Sequence, residues 1–299
     1  MSCPLQTKDA AKGYASMATN MAGSDPTRHY SLGYTDAEQE RLIWQASRLA
    51  PLTERLFLEA GIGRSQRVLD LGSGVGDVAM LVAKLVGPSG EVVGVERDSR
   101  SIARARARSA EAGLRNVSFI ESDVSEISRG KPFDAAVGRF ILEFVPDPLA
   151  TLGTVCQLVR PGGVLAFHEP SYAPFLLLSA HLPLFSESAS LIHQTLLGSG
   201  AHTEIGLELH RFFLEAGLPG PAMHMEILLD SKPDFGRWTY DLLCSLQPQI
   251  QQQNLSLERL GDFGTLPERL QAEIDASKTV IPFVALVGAW SRKPPVPSS

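Results

Sequence analysis

The chain has 299 residues, 44% of them hydrophobic and 20% charged, with a net charge of -6. That is the composition of a globular protein large enough for one substantial core, and it argues against a disordered or disulfide-built chain. Its basic residues are scattered apart from "RSIARARARS", Arg100 to Ser109, which reads as a solvated helix face, so no nucleic-acid surface is expected.

Cys3, Cys156 and Cys244 are isolated and lack CxxC spacing, which fits a reducing cytoplasm and offers no zinc site. No leader, lipidation motif or membrane-length apolar run is read, so no membrane partner is expected. "FLLLSAHLPLF", Phe175 to Phe185, is apolar but is broken by His181 and Pro183.

In chain order, the first thirty or so residues are rich in Ala, Ser, Thr and Gly and predict a loosely structured arm. From Asp36, read as an N-cap, Leu42, Ile43, Ala46, Leu49, Leu56 and Phe57 recur at helical spacing, with Pro51 marking a break. Short β-branched runs then alternate with helical stretches: "RVLDLG", "EVVGVE", "VSFIESD", "FDAAVG" and "VLAFHEP" read as strands. Between them lie the helices "DVAMLVAKLV", "SRSIARARARSAEAGL" ending near Gly113, and "DPLATLGTVCQLV" stopped by "RPGG". This alternation implies a parallel sheet covered on both faces, whose ligands sit beyond the carboxyl ends of the strands. After Pro170 the rhythm is lost; "SASLIHQTLLGSG" and "EIGLELHRFFLEAGL" read as helices, "AMHMEILL" as a strand, Pro233 to Ser277 as a helical insertion, and "TVIPFVALVGAWSRK" as the last strand. The expected division is an arm and lid helices over 1–60, an α/β core over 61–170, and helical cap insertions with the last strands over 171–299.

The stretch "VLDLGSGVGDVAM" carries the chemistry. A dinucleotide loop places GxGxxG between strand and helix, with the helix start facing a pyrophosphate. Here the row is Gly72-Ser73-Gly74-Val75-Gly76-Asp77, so an aspartate stands where the third glycine would. A carboxylate there competes with a phosphate for the same N–H groups and repels its charge, and Asp70 adds a second negative charge. A ligand with a cationic amino-acid part fits better. S-adenosylmethionine has an ammonium, a sulfonium and no phosphate. Glu96, ending the second strand, suits its ribose hydroxyls, and Asp123, after the third, suits its adenine amine.

The ordered set of glycine loop, Glu96, Asp123, "FDAAVGRFILEFVPDP" and "RPGG", spanning Arg67 to Glu169, resembles class I S-adenosylmethionine-dependent methyltransferases. The resemblance implies a Rossmann-like, mostly parallel seven-stranded sheet with an N-terminal helical lid and helical cap insertions. It implies that Gly72, Ser73, Gly74 and Gly76 let backbone approach the cofactor, with Asp70 or Asp77 near its methionine end. Val124 would back the adenine, Arg97 would flank it, and Gly138 and Arg139 would line the sulfonium region. Arg139 could instead pair with Glu143 or Glu169. The leader from His29 is similar to that of small-molecule members, which makes Tyr30 and Tyr34 candidate lid contacts.

Methyl transfer is an in-line displacement in which positioning and water exclusion do much of the acceleration, and a base is needed only if the acceptor must lose a proton. The candidates lie in "FHEPSY": Glu169 first, His168 second, with Tyr172 beside them. Strand alternation sends His168 and Glu169 to opposite faces. His181 and His193 are weaker candidates from the cap. No metal-ligand spacing is read. The apolar insertions imply a small, partly apolar acceptor methylated on N, O or C by a monomer or homodimer. The alternatives are a cofactor-binding protein with non-methylating chemistry such as cyclisation and, disfavoured by Asp77, a nicotinamide-dependent oxidoreductase.

Overall fold

The structure is a computed structural model in which residues 31–123, 126–127 and 130–295 are described. The expected arm, Tyr30, Val124 and the last residues of the tail lie outside the described residues. The first helix, α1 (Asp36–Glu59), is capped by Thr35, whose hydroxyl accepts the Glu38 N–H at 3.2 Å, and not by Asp36. Nor does Pro51 break it. Pro51 and Ser47 both lie on the exposed side, so the one carbonyl that Pro51 leaves without a donor is open to water and the helix continues.

The alternation that follows is the one expected: β1 (Arg67–Leu71), α2 (Asp77–Val86), β2 (Glu91–Glu96), α3 (Ser99–Glu111), β3 (Val117–Glu121), β4 (Phe133–Arg139), α4 (Pro148–Leu158) and β5 (Val159–Ser171). Arg160-Pro161-Gly162-Gly163 is not a break before β5 but part of it. A side chain at Gly163 would meet the Asp134 carbonyl at 2.7 Å, so glycine lets the two chains close where the β4–β5 register shifts.

The cap region adds α5 (Tyr172–Ser179), α6 (Pro183–Gly198) and α7 (Ile205–Glu215), then β6 (Ala222–Glu226) and β7 (Leu229–Asp230). After α8 (Pro233–Gln252) and α9 (Leu266–Ser277), the expected last strand divides into β8 (Ile281–Pro282), paired with β7, and β9 (Ala285–Arg292). The main sheet has seven strands in the order β3-β2-β1-β4-β5-β9-β6, with β9 antiparallel to both neighbours. Its two faces divide by strand alternation. Val68, Ala135, Val137, Val164 and Ala166 pack against α1, α2 and α3; Leu69, Leu71, Ala136, Leu165 and Phe167 pack against α4 and α7. Among the described residues no helix is long and apolar enough to cross a membrane.

α1 is also tied to the cap through a buried polar network. Arg41 donates twice to Glu38, at 2.6 and 2.7 Å, and once to Gln45; Trp238 of α8 donates to Gln45 and Ser245 of α8 to Glu38. Glu38→Ala is expected to lower stability by about 3 kcal/mol, because it strands the Arg41 guanidinium in a dry contact. Urea denaturation measures it; a loss under about 1 kcal/mol, the range of an exposed pair, would contradict this.

Candidate functional site

The loop after β1 turns through three left-handed glycines: Gly72 at φ +60°, Gly74 at +51° and Gly76 at +90°. A Cβ at Gly72 would stand 2.3 Å from Ile141 Cδ1, so the position excludes a side chain on two grounds. Ser73 donates its N–H to the Val95 carbonyl at 2.9 Å, which fixes the loop to β2. Gly76 caps α2 without a side-chain acceptor, so the opening turn of that helix has no side-chain cap.

Glu96 binds this loop directly. Its Oε2 accepts the Gly74 N–H at 2.9 Å, while Oε1 accepts those of Arg97 and Asp98 at 2.9 and 3.0 Å. Arg97 in turn donates to the Tyr34 hydroxyl at 3.2 Å, which brings the chain just before α1 against the end of β2. Asp77 is paired: Arg108 of α3 donates to it at 2.7 Å and to the Val75 carbonyl at 2.6 Å. The negative character of the loop therefore rests less on Asp77 than the sequence implies. Asp123 is half-buried beyond β3, and its carbonyl accepts the Glu126 N–H at 3.0 Å.

Asp70 is 1% exposed, and among the described residues neither carboxylate oxygen has a partner at full hydrogen-bonding geometry. Burial pushes its pKa well above the ordinary carboxylate range, opposed by the Arg139 charge and then by the approach of the Ala79 N–H. The register places Arg139 opposite His168. Arg139 donates to Thr53 Oγ1 of α1 at 3.0 Å, and the same hydroxyl meets His168 Nδ1 at 3.1 Å. Thr53 thus joins the two strand ends under α1. Burial followed by the Arg139 charge lowers the His168 pKa to about 3, so the ring is neutral. Arg139 pairs with neither Glu143 nor Glu169. Glu169 lies on the opposite face, as alternation requires, where its Oε1 accepts the N–H groups of Ile141 and Leu142 at 3.1 and 3.2 Å. Burial outweighs those bonds and raises its pKa to about 7.

The remaining histidines separate. His193 meets Thr203 Oγ1 at 3.1 Å and stacks on Tyr172 at 5.8 Å, whereas His181 meets Thr279 at an exposed position. Among the described residues no group of His, Cys, Asp and Glu could hold a metal ion. Sequence reasoning missed Thr53, which no motif marks, and the buried Glu143, considered only as an ion-pair partner.

A family model described as a methyltransferase domain matches residues 62–217. The ubiquinone/menaquinone biosynthesis C-methyltransferase UbiE of Coxiella burnetii is 36% identical over 114 residues, 36% of this chain and 46% of that protein. The demethylmenaquinone methyltransferase of Staphylococcus aureus is 27% identical over 46% of this chain and 54% of its own length. The chain spans about half the length of these curated relatives. The crystal structure of the YcgJ protein from Bacillus subtilis superposes with a TM-score of 0.53 at 15% identity, over 84% of this chain and all of that one, a likeness of fold.

His168 and Glu169 should oppose each other in pH-dependent stability. His168, with its folded pKa near 3 against an ordinary 6.5, destabilises the fold as pH falls from 6.5 toward 3. Glu169, near 7 against an ordinary 4.5, removes stability as pH rises from 4.5 to 7. Each acts with a slope of up to about 1.4 kcal/mol per pH unit. Glu169→Gln should therefore steepen the loss of stability on acidification from pH 6.5 to 4.5, and His168→Gln should flatten it. Urea titrations across that window measure both; parallel pH curves for both variants and the parent chain would refute the assignment.

Proposed function

Because the chain belongs to the class I S-adenosylmethionine-dependent methyltransferases, we propose that it moves a methyl group from S-adenosylmethionine to a ring carbon of a small, hydroxylated, partly apolar molecule. The observation that carries the reading is the placement of buried polar atoms with no partner. Of ten such side-chain atoms among the described residues, six stand at the carboxyl ends of β1, β4 and β5: both Asp70 oxygens, Ser73 Oγ, Glu143 Oε1, His168 Nε2 and Glu169 Oε2. Unsatisfied buried groups are costly, and their concentration where a parallel sheet takes ligands marks a site that a ligand completes.

The residues fit the cofactor's charges. Asp70, its oxygens unfilled, faces the cationic amino-acid end beside the side-chain-free Gly72, Gly74 and Gly138. Glu96 keeps acceptor capacity on Oε2 after its backbone bonds, as a ribose hydroxyl requires. Asp123 takes the adenine amine, Arg97 flanks the ring with Tyr34 over it, and Arg139 borders the sulfonium region. S-adenosylmethionine supplies an electrophilic methyl there. The chain contributes orientation and water exclusion, and Glu169 is better suited than His168 to hold a proton, since His168 is locked to Thr53. The C-methyl assignment is supported by what the partial relatives are named for.

Calorimetry with S-adenosylmethionine and with NAD tests the reading. Binding is expected for the first alone, and Glu96→Ala is expected to weaken it by about 1 to 3 kcal/mol. Preference for NAD would overturn the cofactor assignment; unchanged affinity in the variant would overturn the role of Glu96.

A further inference from the structure

Away from the glycine loop, under the second half of α1, an imidazole stands between two carboxylates. His224 of β6 presents Nε2 to Glu226 Oε2 at 3.4 Å and Nδ1 to Glu59 Oε2 at 3.9 Å. Glu226 belongs to the same strand, whereas Glu59 ends α1, so the ring bridges the helix to the edge of the sheet. The register sets His168, Gly288 and His224 side by side on β5, β9 and β6, which puts both rings on the face under α1. A Cβ at Gly288 would stand 2.8 Å from His224 Nε2 and 2.9 Å from Leu56 Cδ1, so the glycine leaves the space in which the ring reaches in beneath the helix.

The charged and titratable groups around the ring come from four elements. α1 supplies Glu59 and Arg55, and Arg55 also pairs with Glu226. β6 supplies Glu226. β5 supplies His168, held neutral by burial and then by Arg139 of β4. β9 supplies only Arg292, whose guanidinium is turned to the Gly162 and Ala60 carbonyls. Glu59, Glu226 and Arg55 therefore sum to one negative charge, which an imidazolium cancels. A neutral imidazole has one N–H, so one of its nitrogens turns a lone pair toward a carboxylate oxygen. His224 Nε2 and Glu226 Oε2 are both buried without a hydrogen-bonding partner. The imidazolium has an N–H for each carboxylate.

We propose that His224, Glu59 and Glu226 form a proton-operated clasp, which fastens the second half of α1 to the edge of the sheet as pH falls and releases it as pH rises. The sign follows from linkage: the seated helix brings a carboxylate to the ring, so it binds the proton more tightly than the released helix, and acid favours the seated state. Thr53, less than two helical turns from Glu59, holds Arg139 and His168, so the clasp reaches the ends of β4 and β5 through one rigid element. A fastened α1 then covers the face that takes the cofactor. That consequence rests on the methyltransferase reading; the clasp itself does not.

Hydrogen exchange on the full chain tests the clasp. Amides of residues 53–60, corrected for the intrinsic pH dependence of exchange, should be about fivefold more protected at pH 6 than at pH 8, the range in which histidine changes charge and the size of a partly exposed ion pair. Glu59→Gln alters a half-exposed side chain and should bring that ratio below about twofold; His224→Gln should remove it. The two substitutions together should do no more than His224→Gln alone, since both act through one proton. A ratio unchanged by either substitution, or protection that rises with pH, would overturn the clasp. With S-adenosylmethionine as the probe, stopped-flow release should be about fivefold slower at pH 6 than at pH 8 in the parent chain and nearly independent of pH in Glu59→Gln. Equal pH dependence of release in both would overturn the coupling of the clasp to the site. Failure of the parent chain to bind S-adenosylmethionine would instead defeat the methyltransferase reading, while hydrogen exchange still decides the clasp.

Discussion

The bond from the Gly74 N–H to Glu96 is the constraint on which the glycine loop after β1 depends. The loop around it can turn only through left-handed glycines, and Gly72 has Ile141 where a Cβ would be. A glycine-rich loop loses more chain entropy on folding than one built of other residues, so it needs fixed points. Glu96 supplies one and the Ser73 N–H to Val95 another, both on β2. The loop is thereby referenced to the sheet, and α2 starts in a defined place above the end of β1.

α1 carries that order outward. Its Thr53 hydroxyl spans Arg139 and His168, Tyr34 just before it meets Arg97, and its Glu38–Arg41–Gln45 row meets α8. The helix with Tyr34 just before it therefore contacts the ends of β2, β4 and β5 and the cap. Displacing it would take from Arg139 its hydroxyl partner and leave a neutral His168 with both ring nitrogens unpaired, which couples the helix position to the state of the site. The continuity of α1 through Pro51 makes this possible, since a break would release Thr53 from the register of its first half.

Much of this is legible in the sequence because strand, loop and acid follow one another in a fixed order. Asp70, Glu96 and Asp123 each end or follow a strand, and a parallel sheet brings such ends to one edge whatever the helices do. The opposed faces of His168 and Glu169 follow from strand alternation alone. Pairings between elements are not legible: Asp77 with Arg108 depends on the approach of α2 to α3, and Thr53 with His168 on how α1 crosses the sheet. Pro51 misleads because the carbonyl it frees lies on the exposed side, where water can take the lost bond, and exposure is a property of packing. The last strand misleads as one run because the pattern of "TVIPFVALVGAWSRK" does not show that β8 leaves the main sheet to pair with β7.

The same alternation divides the polar groups between the two faces of the sheet. Asp70, Arg139 and His168 point to the face under α1, where the Arg139 charge opposes the effect of burial on Asp70. Glu169, with Glu143 near it, lies on the opposite face, where no Lys or Arg charge acts on either acid among the described residues. Were the two sets on one face, Arg139 would ionise the Glu169 carboxyl and keep it low in pKa, useless for holding a proton near neutrality. A one-residue step along β5 separates the surroundings of His168 from those of Glu169, so a single residue inserted there would exchange the faces the two side chains occupy.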